Sequence, residues 1–133
     1  MQRGNRRPLS KKNELRLDNR FREMELIYFC LQYPEWKRII KDFLLKGSTD
    51  EFSDPTGNTA VIWASCKEKI DLVERIAKQV GGEELHEFIL KGVTEGVSFN
   101  NLRSYHNMPC GRNKYFRMYH EFFYILSQEK HTF

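Results

Sequence analysis

Cysteine is scarce in this chain, and the three present, Cys30, Cys66 and Cys110, are odd in number, widely spaced and set among apolar neighbours. That pattern speaks against a disulfide framework and for buried free thiols in a reducing compartment. No apolar run approaches the ~18 residues needed to cross a bilayer, and the basic start leads through Pro8, Leu9 and Ser10 into lysines rather than into a signal-peptide stretch. A cytoplasmic protein with no membrane partner is expected. No phosphate-cradling glycine loop occurs. Ser104 with His106, or Cys66 with any histidine, offers a nucleophile and a base only by chance proximity. The acid pairs Asp50 with Glu51 and Glu83 with Glu84 fall at helix starts, where the helix dipole explains them. His106, Cys110 and His120 match no zinc spacing and lack a fourth ligand. Neither catalysis, nor a metal, nor a cofactor is expected.

Acidic residues are missing from two stretches. Residues 1–12 hold Arg3, Arg6, Arg7, Lys11 and Lys12 without a carboxylate, so the formal charge of +4 leaves −1 for everything from Asn13 onward. Residues 96–120 hold Arg103, Arg112, Lys114 and Arg117, again without an acid. A polyanion would meet these stretches favourably through phosphate neutralisation and counterion release. For the first stretch alone, a solvated, flexible basic arm is the simpler reading. With 40% hydrophobic and 14% aromatic residues the rest has enough apolar surface to fold.

The periodicity is helical throughout, which predicts an all-α protein. Leu17, Phe21, Met24, Tyr28 and Leu31 recur at steps of four and three, one stripe of a first helix. Tyr33 and Pro34 should break it, and Trp36, Ile39, Ile40, Phe43 and Leu44 form the apolar side of a second helix ending near Gly47. A loop over 47–54 leads to Ser53 or Asp54 as a cap and Pro55 as a first helical residue. Trp63, Cys66, Ile70, Val73, Ala77 and Val80 then form a coiled-coil-like seam stopped by Gly81 and Gly82. Two such seams predict that the first and third helices lie side by side, within one chain or across a homodimer.

After the glycines a helix over 83–95 turns Leu85, Phe88, Ile89 and Val93 inward. Ser98 caps a short helix to about residue 105 anchored by Leu102, Met108 and Cys110 plug a turn, and Gly111 caps a last helix from 112 to about 128. Tyr115, Met118, Phe122 and Leu126 are its inward stripe, with Phe116 and Phe123 packed against neighbouring helices. The expected organisation is thus a basic arm (1–12), a helical hairpin or bundle (13–82) and a helix-turn-helix unit (83–133). In such a unit the second helix of the pair enters the major groove. Arg112, Asn113 and Lys114 would meet bases or adjacent phosphates, since arginine forks onto guanine and asparagine onto adenine. Arg117 and Arg103 would hold the backbone of double-stranded DNA.

The string Met108-Pro-Cys-Gly-Arg-Asn-Lys-Tyr-Phe-Arg117 resembles the reading helix of phage and prophage transcriptional regulators of the RinA and ArpU kind, whose last region is similar to region four of sigma factors. Ser53-Asp-Pro-Thr-Gly-Asn-Thr-Ala60, running into Lys67, Glu68, Lys69 and Ile70, resembles the middle of those proteins, and Tyr33-Pro-Glu-Trp-Lys37 their N-terminal helix. The resemblance covers about residues 20–126. It implies a nucleoid-associated activator of late genes in a bacterial host, with contact to RNA polymerase. One departure stands out: the family's helix usually starts with serine and a longer basic run, whereas here Gly111 takes the cap and Asn113 interrupts, so the recognised sequence cannot be carried over. The rival readings are a phage assembly protein such as a small terminase subunit, which a ring of many subunits would favour, and a helical adaptor that binds no DNA.

Overall fold

A computed structural model of the chain describes residues 19–49 and 57–130. Its elements are α1 (Arg20–Cys30), α2 (Tyr33–Thr49), α3 (Gly57–Glu95), α4 (Phe99–His106) and α5 (Arg112–Glu129). No strand occurs among the described residues, so the chain is all-α as its periodicity requires. The arm over 1–12, Leu17, and the expected cap at Ser53 or Asp54 with Pro55 lie outside the described residues.

Asn19 caps α1: its Oδ1 accepts from the amides of Phe21 and Arg22 at 2.9 and 3.1 Å. The expected stripe of α1 does not face this chain's own core. Phe21 and Tyr28 are 78% and 61% exposed, Met24 and Leu31 40%, while Leu26 and Cys30 are fully buried. Periodicity detects a stripe but not the side that faces the core, and this helix carries apolar residues on both. The chain turns at Leu31 and Gln32, just before Pro34, which sits in the first turn of α2 where its missing amide costs nothing.

The helix lying along α3 is α2 rather than α1. Phe43 meets Trp63 with ring centroids 5.5 Å apart, Lys69 sits over the Trp36 ring at 5.7 Å, and the Tyr33 hydroxyl donates to Glu74. As one number rises the other falls, so the two run antiparallel. The expected seam of α3 does face inward: Cys66, Ile70, Val73 and Ala77 are buried, with Trp63 and Val80 partly so. Ile76 joins them with no exposure. Among the described residues the buried indole N–H of Trp63 has no hydrogen-bond partner.

Gly81 and Gly82 end the first helical arm of α3, as expected, and a second arm follows at once across a kink. Gly82 takes φ 70 and ψ −172, a conformation open to glycine, and a β-carbon on Gly81 would lie 2.8 Å from the His86 backbone. Beyond the bend, Leu85, Ile89 and Val93 are buried and Phe88 half-buried. Gly96, at φ 71, then ends the helix.

α5 ties the molecule together. Tyr115, Met118, Phe122 and Leu126 are buried as expected, and Phe123 with them. At its far end the Arg22 guanidinium donates to the Ser127 carbonyl at 3.2 Å, Arg75 pairs with Glu129 at 3.3 Å, and the Lys130 ammonium lies 4.1 Å from the Phe29 ring centroid. At its near end Tyr115 enters the second arm of α3 over Gly92, its hydroxyl occupying the space a β-carbon there would fill. The buried side chains from Leu26 to Leu126 form one hydrophobic cluster.

Two predictions follow from this packing. Gly92→Ala should destabilise the protein by about 1–3 kcal/mol in urea unfolding through overpacking, despite the ~1 kcal/mol that alanine gains over glycine inside a helix. Adding Tyr115→Phe removes the offending hydroxyl and leaves the ring carbon Cζ at an ordinary 3.4 Å, so the double variant should recover most of the loss. Equal instability of the double and single variants contradicts the contact.

The second concerns alkaline pH. Burial pushes the Cys30 thiol up from 9.0 to about 12, against a smaller pull from Lys130. Burial likewise raises the hydroxyls of Tyr115 and of Tyr33, the latter aided by its bond to Glu74. Burial lowers Lys130, which acts with the opposite sign. A folded pKa above the unfolded one means stability fully present below the unfolded value and lost as pH rises, here from 9.0 toward about 12. Cys30 accounts for a loss of roughly 1.4 kcal/mol per pH unit in that window. The unfolding free energy of Cys30→Ala should therefore decline less steeply between those pH values than that of the parent.

Candidate nucleic-acid interface

Ser98 opens the segment that carries the basic residues, accepting from the Asn101 amide at 3.1 Å as its position before a polar helical turn predicts. Leu102 anchors α4 with no exposure. The helix ends at Asn107, whose φ of 58 lets its amide close on the Leu102 carbonyl. The Met108 amide also reaches that carbonyl, at 3.0 Å, and the Met108 side chain is buried below the turn. Cys110 is only partly buried.

Gly111 precedes α5 in an extended conformation, with no side-chain cap and no acid in the first turn. The first amides of α5 therefore lack a side-chain acceptor at Gly111, and the positive end of the helix dipole favours an anion there. Arg112, Asn113, Lys114 and Arg117 are all exposed, as is Arg103 on α4.

These five do not form one surface. Asn113 and Arg117 are four residues apart and share a side of α5, with Lys114 adjacent at three residues from Arg117. Arg112 turns the other way. Its guanidinium lies 5.0 Å from the centroid of Phe99 and 5.6 Å from that of Phe116, a cation–π clamp that fixes the side chain while leaving it in solvent. Phe99 in turn meets Tyr115 and Phe116 with ring centroids 5.6 and 5.9 Å away. The first residue of α4 is thereby tied to the first turns of α5. Arg103 stands in the last turn of α4, where a cation also complements the helix dipole.

Cys110 lies in the turn between the two helices. Burial raises its thiol, Lys114 and Arg103 pull it down, and Glu84 pushes it up. Lys114 and Arg103 thus share one neighbourhood although 11 positions separate them in the chain. Glu84, from just past the bend of α3, shares it too, so the acid-free stretch of sequence is not an acid-free region in space. The sequence reading also passed over Tyr105, which is 77% exposed on α4 beside Arg103 and His106. Among the described residues no three or more His, Cys, Asp or Glu side chains gather as a metal site would require, and no helix is long and apolar enough to cross a membrane.

No family model, curated protein or solved structure matches the chain.

A β-carbon at Gly111 would meet nothing within 4 Å, and its backbone suits any residue. Gly111→Asp should therefore add a cap and raise the thermal midpoint, with a gain of a few tenths of a kcal/mol. A lower midpoint would show that the amides of α5 already have acceptors.

Proposed function

We propose that the chain is a sequence-specific DNA-binding transcriptional regulator of a phage or prophage, of the RinA and ArpU kind, in which α4 and α5 act as a helix-turn-helix and α5 reads the major groove. The observation that carries this reading is the contiguous exposed surface of Asn113, Lys114 and Arg117 on the first turns of a helix whose opposite side is buried in the core. An adenine-reading amide beside two phosphate-holding cations is the chemistry expected of a reading helix. Arg112, clamped on Phe99 and Phe116, serves as a preorganised donor at the edge of that surface, and Arg103 reaches the flanking backbone. Tyr105 adds an exposed ring against the sugar-phosphate chain. The mechanism is binding without chemistry, in the bacterial cytoplasm, and late-gene activation through RNA polymerase follows from the family resemblance.

The test is selection of bound fragments from a random duplex pool, followed by gel-shift titration on the enriched sequence. Lys114→Ala with Arg117→Ala should weaken binding to all duplexes and lower the salt slope by about one per lost phosphate contact. Asn113→Ala should instead relax preference at one base pair, by about 1–3 kcal/mol. Gly111→Asp should lose affinity while gaining stability, because it sets a carboxylate against the phosphates. No enriched motif, together with an unchanged salt slope in the Lys114→Ala, Arg117→Ala variant, would sink the reading.

A further inference from the structure

α1 has a second apolar face that its own core does not use. Leu26 and Cys30 are fully buried, whereas Phe21, Met24, Tyr28 and Leu31 are 78, 40, 61 and 40% exposed. The exposed four follow at steps of three, four and three, so they form one stripe opposite Leu26. Each aromatic side chain has roughly 150–250 Å² to bury, and monomers rarely leave contiguous apolar patches above a few hundred Å² in water. The same steps are those of the core positions of a heptad, with Phe21 and Tyr28 at the first position and Met24 and Leu31 at the fourth.

That register also fixes the flanks. Arg20 falls on one side of the stripe and Glu25 on the other, both exposed. Glu25 meets Arg22 on its inner side at 3.1 Å, yet its side chain remains 66% exposed. In a parallel pair of such helices the flank before one heptad faces the flank within the next, so Arg20 of each copy meets Glu25 of the other, twice by symmetry. An antiparallel pair sets like flanks together, Glu25 against Glu25.

We propose that a second copy of this chain covers the stripe, α1 packing in parallel on α1 about a two-fold axis. The inference rests on apolar spacing and charge complementarity in α1 alone and is independent of the DNA-binding reading.

Sedimentation equilibrium of the full chain tests it. The parent should be a dimer at micromolar concentrations. Phe21→Glu with Tyr28→Glu should be monomeric with unchanged helical circular dichroism, because both side chains lie outside the core, and its thermal midpoint should no longer rise with protein concentration. Glu25→Arg should raise the dimer dissociation constant by about tenfold or more through like-charge contact, and adding Arg20→Glu should restore it. A monomeric parent, a ring of higher order, or a dimer that survives both glutamates overturns the proposal. Failure of the charge swap to restore affinity overturns the parallel arrangement.

Discussion

Tyr115 over Gly92 is the contact on which the position of α5 depends. The ring is almost fully buried, and it reaches that depth only because residue 92 has no side chain. From this point α5 runs along the rest of the core, so the surface bearing Asn113, Lys114 and Arg117 is set by a helix-to-helix approach at its first turn. Leu102 of α4 lies 3.8 Å from the same position, which brings three helices to one glycine. A close approach of this kind transmits error poorly, since interiors packed to crystal-like density have no slack to absorb a methyl group. The consequence is a rigid base beneath polar side chains that are otherwise free to meet a partner.

The electrostatics of that surface are built in layers. The uncapped start of α5 supplies partial positive charge, Lys114 and Arg103 converge near Cys110, and Arg112 is parked on two aromatic faces. A guanidinium held this way has less freedom to lose on binding than one waving in solvent, which favours affinity. Glu84 works against the rest. Its carboxylate, just past the kink of α3, sets a negative charge among these cations.

Much of this was legible in the residues. The inward stripe of α5, the Ser98 cap, the Leu102 anchor and the end at Gly96 follow from spacing and from residues with one dominant local role. The partner of the α1 stripe was not legible because both of its faces are apolar, and the more populated stripe is the outer one. Leu26 and Cys30 are fewer, but they are the ones the remaining helices cover. The pairing of α2 with α3 was missed for a related reason: seams of equal period do not say which neighbour they meet. Gly92 passed unremarked because a glycine inside a helix carries no signal until the opposing hydroxyl is known. The clamp on Arg112 and the approach of Glu84 each join residues from different helices, and no one-dimensional pattern contains them.

The antiparallel pair of α2 and α3 has an optical consequence. Trp36 and Trp63, the two tryptophans of the chain, both belong to it, and α4 and α5 have none. Indole emission therefore watches only one end of the molecule, whereas far-ultraviolet circular dichroism sums over every helix. If the two signals change together on heating, the bend at Gly82 transmits cooperativity from end to end. If they separate, the bend is a thermodynamic seam, and light alone reveals where the chain comes apart first.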